Sequence, residues 1–463
     1  MNQNKNRADN VQIAYIGGGS RGWAWGFMTD LAQADDICGT VSLYDIDYEA
    51  AKHNEVIGNK LKELEGCKSP WSYRVVKELS EALTGADFVI ISILPGTFDE
   101  MHSDVHTPEK YGIYQAVGDT TGPGGIVRAL RTIPMYETIA EAIKEYCPKA
   151  WVINYTNPMA VCVNTLYRVF PEIKAFGCCH EVFGTQKFLA KVLKEECGID
   201  GVQREDIKTN VVGVNHFTWL TSARYKRIDI YPLYENFCAK YKESGYADGG
   251  DDNWANNSFV SAEKVKMDLF TRFHYIAAAG DRHLAEFCNG NWYLRNPETV
   301  RDMKFALTSV DFRKEDLKER LAKSERLISG EEIFEFNETG EDGVKQIRAL
   351  LGLSDLVTNV NIPNRGQIPN LPMGVVVETN AVFRADTVEP IFAGSIPEEI
   401  YPMIAGLAEE QELTVRAGIE RNVDLALNAF YNDPLVNIPL EDAKTLFYEM
   451  LENTKKYLGM YNW

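Results

Sequence analysis

No stretch of the 463-residue chain approaches the ~18 consecutive apolar residues that a membrane-spanning helix needs, so no membrane role is expected. The N-terminal "MNQNKNRADN" is polar and holds neither an apolar segment nor a cleavage site, which argues against a secretory leader. The nine cysteines are odd in number and scattered, so they do not form a disulfide framework. A reducing cytoplasm is the expected compartment. Basic residues are in deficit, 48 against 67 acidic, giving a net charge of −19 with no basic stripe. A nucleic-acid backbone would be repelled, and nucleic acid is excluded as a partner. There is no H-E-x-x-H and no C-x-x-C, which removes zincin and structural-zinc sites. Fixed-period repeats and low-complexity segments are also missing.

What is present is an alternation of apolar β-type runs and helical patterns over the first 200 residues, the mark of a parallel sheet with crossover helices. Strands are predicted at 11–16, 41–45, 87–94, 150–156 and 173–179, with helices over 122–147 and 157–170. The fold class is therefore α/β, a Rossmann-like doubly wound parallel sheet over residues 1–200. An α+β domain for substrate binding and oligomerisation is expected over 201–463. It contains strands with a turn at His216, a further β region at 372–385 and an acidic loop at 244–254 that reads as a lid. Ligands of such sheets bind at the carboxyl ends of the strands, which here carry Gly17, Asp45, Pro95, Asn154 and Cys179.

"GGGSRG" satisfies G-x-G-x-x-G with Gly17, Gly19 and Gly22, follows a predicted strand and opens a helix. Glycines there let backbone approach a pyrophosphate at a helix N-terminus. Ser20 and Arg21 belong to the same turn, and Asp45 ends the next strand, where a carboxylate accepts from an adenosine ribose. An acidic residue at that place favours NAD over NADP, with Arg21 as the opposing sign.

Seven histidines occur, three of them in short polar segments: "CCHE", "GVNHFTW" and "GDRHLAEF". One thiolate and one imidazole from separate strand ends can hold a divalent metal with open positions. By residue type alone, a strand-end cysteine is more often a small buried hydrophobe.

The chain resembles glycoside hydrolase family 4, the NAD- and manganese-dependent glycosidases. The resemblance is carried by "AYIGGGSRG", "GDTTGPGGIVRALR", "INYTNPMAV", "CHEV", "GVNHFTW", "GDRHLAEF" and "PMGVVVE", in that order. It implies a chemistry unlike that of two-carboxylate glycosidases. NAD takes hydride from the sugar C3, a base removes the acidified C2 proton, the C1 group is eliminated, water adds and hydride returns. The resemblance further implies Cys179 and His216 as ligands of Mn2+, with Asp281 as the C2 base. His180 and Asp119 are implied as proton donors to the leaving group, and Asn157 as a sugar-hydroxyl ligand, although Asn157 also reads as a helix N-cap before Pro158. Asn154 would lie nearer the nicotinamide, and a homodimer or homotetramer is expected.

Phosphosugar members resemble "CN" or "CD" after the metal cysteine, whereas Cys179-His180 resembles enzymes for unphosphorylated α-glycosides. Glu181 resembles the branch acting on α-galacturonides. A substrate carboxylate beside Glu181 needs an arginine between them, with Arg128, Arg131, Arg282 and Arg295 available, and Arg282 is taken with Glu181 as a substrate-binding candidate. Alternatively Glu181 turns away and orients His180 or a water. The alternatives in function are an α-galactosidase or α-glucuronidase of the same family, an NAD-dependent sugar dehydrogenase, and a catalytically silent NAD-binding sensor.

Overall fold

Segments such as Phe88–Ile91 are apolar at every position and have no face to give to water. The structure is a computed structural model that describes residues 2–4, 7–246, 260–336 and 339–463, and it buries these segments between two helical layers. The strands are β1 (Asn2–Asn4), β2 (Arg7–Ile16), β3 (Ile37–Tyr44), β4 (Ser72–Val75), β5 (Phe88–Ile91), β6 (Trp151–Asn154) and β7 (Lys174–Gly177). They continue with β8 (Ile207–Val214), β9 (Phe217–Tyr225), β10 (Ile228–Asp229), β11 (Ile276–Ala277), β12 (Leu356–Pro363), β13 (Val376–Arg384) and β14 (Thr387–Pro390).

Strands β4-β3-β2-β5-β6-β7 are parallel and lie in the order of a dinucleotide-binding sheet, with the order reversing between β2 and β5. Successive side chains alternate between the faces. Ile13 and Tyr15 pack on one face with Phe27 and Leu31 of helix Trp23–Gln33. Ala14 and Ile16 pack on the other with Tyr136, Ile139 and Ile143 of helix Gly122–Tyr146. At roughly 1.5–3 kcal/mol for each large aliphatic side chain buried, these two layers hold the strand ends in register.

The expected division at residue 200 does not separate two sheets. Strands β12, β13 and β14 return from the C-terminal part and extend the first sheet antiparallel, β12 meeting β7 at Asn361 and Gly177. The 372–385 segment therefore belongs to the sheet it was expected to lie apart from. The smaller sheet, β8 to β11, is antiparallel, and β8 and β9 form a hairpin with Val214 opposite Phe217. That register leaves Asn215 and His216 alone at the tip. Of the acidic loop read as a lid, residues 247–254 lie outside the described residues. Among the described residues no helix is long and apolar enough to cross a membrane. All nine cysteines are unbridged.

Candidate active site

The turn after β2 is shaped for close approach. Gly17 has φ +93°, and a Cβ there would run into the Ser92 carbonyl. A Cβ on Gly19 would meet Ala50 and the Asp45 carboxylate. Asp45 accepts from the Gly19 N–H at 2.8 Å, and Asn54 donates to the Gly18 and Ser20 carbonyls at 2.7 and 2.9 Å. Gly22 caps helix Trp23–Gln33, so Ser20 and Arg21 sit at a helix N-terminus. These contacts leave no room for side chains, and the cradle fits a dinucleotide. Asp45 holds the turn; burial raises its carboxyl above the ordinary value, against donation from Asp47 and Gly19 N–H groups.

Pro95 and Asn154 shape the same edge from behind. Arg131 donates to the Pro95 carbonyl at 2.9 Å and forms a fully buried bidentate pair with Asp104, which removes it from the arginines open to a substrate. Asn154 is fully buried, accepts from Tyr136 and the Thr156 N–H, and donates to the Thr156 carbonyl at 2.9 Å. Its amide is spent inside the turn. Arg295 is exposed and makes none of these contacts.

The metal candidates come together. Strand β7 ends at Gly177, so Cys178 packs into the sheet core while Cys179, also buried, points toward Asn215 and Glu181. Burial pushes the Cys179 thiol well up, and Glu378 and Glu181 push it further. His216 receives or donates at Nδ1 with Thr120 Oγ1 at 3.1 Å, and its ring lies 4.1 Å from that of His283. Burial and His283 lower His216 to about 3, so its imidazole is neutral and keeps a lone pair. Asn215 Oδ1 is buried with no hydrogen-bond partner. Among the described residues no group of three or more His, Cys, Asp or Glu forms a closed metal cage. A buried thiol, a neutral imidazole and an unpartnered amide oxygen fit a divalent ion with open positions.

Below them lies a support that sequence reading missed. Asn215 and Asn359 donate to Glu378 at 3.0 and 2.5 Å, and Asn359 also donates to the Cys179 carbonyl at 3.3 Å. Asn359 and Glu378 stand on β12 and β13. Only the closing residue of "PMGVVVE" signalled this in the sequence.

Glu181 begins helix Glu181–Cys197, where a carboxylate is favoured. It accepts from the Gly280 N–H at 2.6 Å and lies 3.6 Å from His283 Nε2 and 3.8 Å from His180 Nε2. Burial would raise its carboxyl, but His283, His180 and His216 hold it low. His180 pairs through Nδ1 with Glu341 at 2.8 Å. Burial opposes its protonation, yet Glu341 and Glu181 raise it to about 9. Because its side chain is half exposed, solvent screens part of that pairing.

Asp119 accepts from Thr120 and from Asn157 Nδ2 at 3.3 Å. Burial would raise it, but Arg128, His283 and His216 hold it far below the usual carboxylate range. It acts as the acceptor in both contacts. Asn157 does not cap the following helix, whose N-cap is Pro158; its Oδ1 is buried without a partner.

Asp281, the expected C2 base, opens the short helix Asp281–Glu286. It is fully buried, and its two oxygens accept from the Val265 and Lys266 N–H groups, both at 3.1 Å. It anchors the start of helix Lys264–Phe273, and burial, with Glu263 nearby, raises its carboxyl to about 7. From the same short helix, Asp281–Glu286, it is Arg282 and His283 that reach Glu181 and Asp119. His283 Nδ1 is buried without a partner.

A glycine cradle for a dinucleotide and a thiol–imidazole chamber thus share one sheet edge, which defines an enzyme that works on its substrate beside a nicotinamide cofactor site. The chain belongs to family 4 of the glycosyl hydrolases. The family 4 glycosyl hydrolase profile matches residues 12–195, and that of its C-terminal domain matches 211–436. A relative from Thermoanaerobacterium saccharolyticum named alpha-galacturonidase is 62% identical over 99% of this chain and 98% of its own. A solved Bacillus subtilis structure, 52% identical, superposes with a TM-score of 0.92 over 96% of this chain and 100% of that one. A 6-phospho-alpha-glucosidase from gut microorganisms, solved with NAD and Mn2+, shares the fold at 20% identity, with a TM-score of 0.80 over 97% and 99% of the two chains.

Proposed function

We propose that the enzyme hydrolyses α-galacturonides, using NAD and a divalent metal, manganese by the chemistry of the family. Full-length identity of 62% to an alpha-galacturonidase carries the substrate class. The placement of His180 directly after Cys179 agrees with an unphosphorylated sugar. When bound, NAD supplies the hydride acceptor at C3 and the metal supplies a Lewis acid for the sugar oxygens.

The chain's own groups divide the remaining work. The Gly17–Gly22 turn and Asp45 hold the dinucleotide, and Cys179 and His216 hold the ion. Asp119 and Asn157 accept and donate at sugar hydroxyls. His283, neutral and backed by Glu181 at 3.6 Å, is placed to take the C2 proton at Nδ1, the role first expected of Asp281. His180, held protonated by Glu341, donates to the departing oxygen at C1. We further propose a cytoplasmic homo-oligomer, in keeping with nine unbridged cysteines and with Met373 and Phe392 at 71% and 70% exposure.

The test is turnover of p-nitrophenyl α-galacturonide with NAD, Mn2+ and a thiol reductant, and no accumulation of NADH. Clear turnover of the α-galactoside or α-glucuronide with none of the galacturonide overturns the substrate. Net NADH formation overturns the hydrolase in favour of a dehydrogenase.

A further inference from the structure

The crevice holds more fixed positive charge than its own carboxylates answer. Arg128 is buried at 4% exposure, donates Nε to the Asn157 carbonyl at 3.0 Å, and keeps Nη1 buried without a partner. Arg282 donates Nη1 to Thr308 Oγ1. Arg313, in the first turn of helix Val310–Ser329, is half-buried with its Nε out of water and unpartnered, and lies within electrostatic reach of both Arg282 and Asp119.

The segment carrying Arg313 is fastened to the crevice wall. The Thr308 N–H donates to the Ala116 carbonyl at 2.9 Å, and Thr308 is fully buried. The Val310 N–H donates to His106 Nε2 at 3.2 Å, and Ser309 caps the helix through the Phe312 N–H at 3.2 Å. Arg313 is therefore held by its backbone beside the loop that bears Asp119. Farther along the same helix, Arg320 donates to the Arg21 carbonyl at 3.0 Å, so one helix spans from the sugar side to the dinucleotide turn.

The three guanidiniums face two ionised carboxylates, Asp119 and Glu181, and Glu181 also lies 3.8 Å from the protonated His180. Glu286 lies beside Asp119 but is kept protonated by burial, so it adds no charge at neutral pH. Two guanidiniums held close together repel, and an anion between them removes that cost. The start of a helix favours the same sign of ligand. A planar carboxylate matches paired guanidiniums in geometry as well as charge.

We propose that Arg313, acting with Arg282, binds the carboxylate of the substrate sugar and sets the preference for a uronide over the neutral hexoside; this rests on the galacturonide reading above. The experiment compares wild type, Arg313→Gln and Arg313→Lys on p-nitrophenyl α-galacturonide and p-nitrophenyl α-galactoside, with NAD and Mn2+. Inhibition by free galacturonate against galactose supplies the ratio wherever the galactoside is not cleaved. Arg313→Gln should lower kcat/KM on the uronide about 100-fold, mostly through KM, and shrink the uronide-to-hexoside ratio at least tenfold. Arg313→Lys, which keeps charge without the fork, should fall between, and it decides the matter if the glutamine variant melts far below wild type. Uronide activity within threefold of wild type, or equal loss on both sugars, overturns the role of Arg313. A wild type that ignores the uronide overturns the substrate reading and the clamp together.

Discussion

Asp281 gives one carboxylate oxygen to the Lys266 N–H at 3.1 Å and the other to the neighbouring Val265 N–H. Two backbone donors at the start of a helix are then satisfied by a group with no exposure at all. Asp281→Asn should cost stability, about 1–2 kcal/mol in a urea melt, while C2 deuterium incorporation from D2O continues in the folded fraction. His283→Gln should do the reverse, leaving the melt near wild type and abolishing C2 exchange. Loss of exchange in a well-folded Asp281→Asn protein would return the base role to Asp281.

His180 owes its raised value, about 9, chiefly to its hydrogen bond with Glu341, opposing burial. In the proposed mechanism the protonated form gives the proton, so activity should be present below that value and be lost as pH rises through it. Glu341→Gln removes the pairing charge and should move the alkaline limb of kcat/KM down toward the ordinary imidazole range near 6.5. Water reaches half of the His180 side chain, so the displacement should shrink at high salt. An alkaline limb that stays in place would assign it to another group.

Glu286 is fully buried, accepts from the Val117 and Gly118 N–H groups at 2.7 and 2.8 Å, and keeps Oε2 unpartnered. Burial raises its carboxyl from 4.5 to about 8. Below 4.5 both folded and unfolded chains hold the proton; between the two values only the folded chain does. Stability from this group therefore falls with rising pH across that window and levels off above it. In urea melts at pH 5, 6.5 and 8, Glu286→Gln should gain on wild type as pH rises, by on the order of 2–3 kcal/mol at pH 8. Parallel pH curves for the two proteins would show that the carboxyl is ionised in the fold.

The glycine turn and Asp45 were legible because a βα turn is local: a dozen residues carry the strand, the positive φ and the cap. Cys179 and His216 were singled out only through resemblance, since they follow strands of two separate sheets and no local pattern links them. The residues that escaped owe their places to distant chain. Asn359 and Glu378 reach Cys179 only because β12 pairs with β7, and no local pattern announces which sheet an antiparallel strand joins. Arg313 and Glu341 sit in polar segments that read as solvated surface until the fold brings them to the crevice. The fastening of Asp281 to the Val265 and Lys266 N–H groups was equally hidden, because only the docking of helix Lys264–Phe273 brings those donors to it.

Glu378 tests whether those returning strands serve the metal site or merely close the sheet. Its carboxylate receives both Asn215 and Asn359, which flank the two candidate ligands. Glutamine at this place offers one oxygen where two donors need acceptors, so one asparagine must turn, and both Cys179 and the hairpin tip lose their support. The expected result for Glu378→Gln is a 10–100-fold weaker grip on Mn2+, read by electron paramagnetic resonance titration of the free ion, with dinucleotide binding unchanged. The glycine turn is far enough along the edge to be indifferent to this change. If the melt falls while Mn2+ affinity holds, Glu378 is a sheet residue whose hydrogen bonds stabilise β12 and β13 without tuning the ion. Loss of metal affinity with an intact melt would place β12 and β13 in the catalytic apparatus, where the sequence reading named no site residue from either strand.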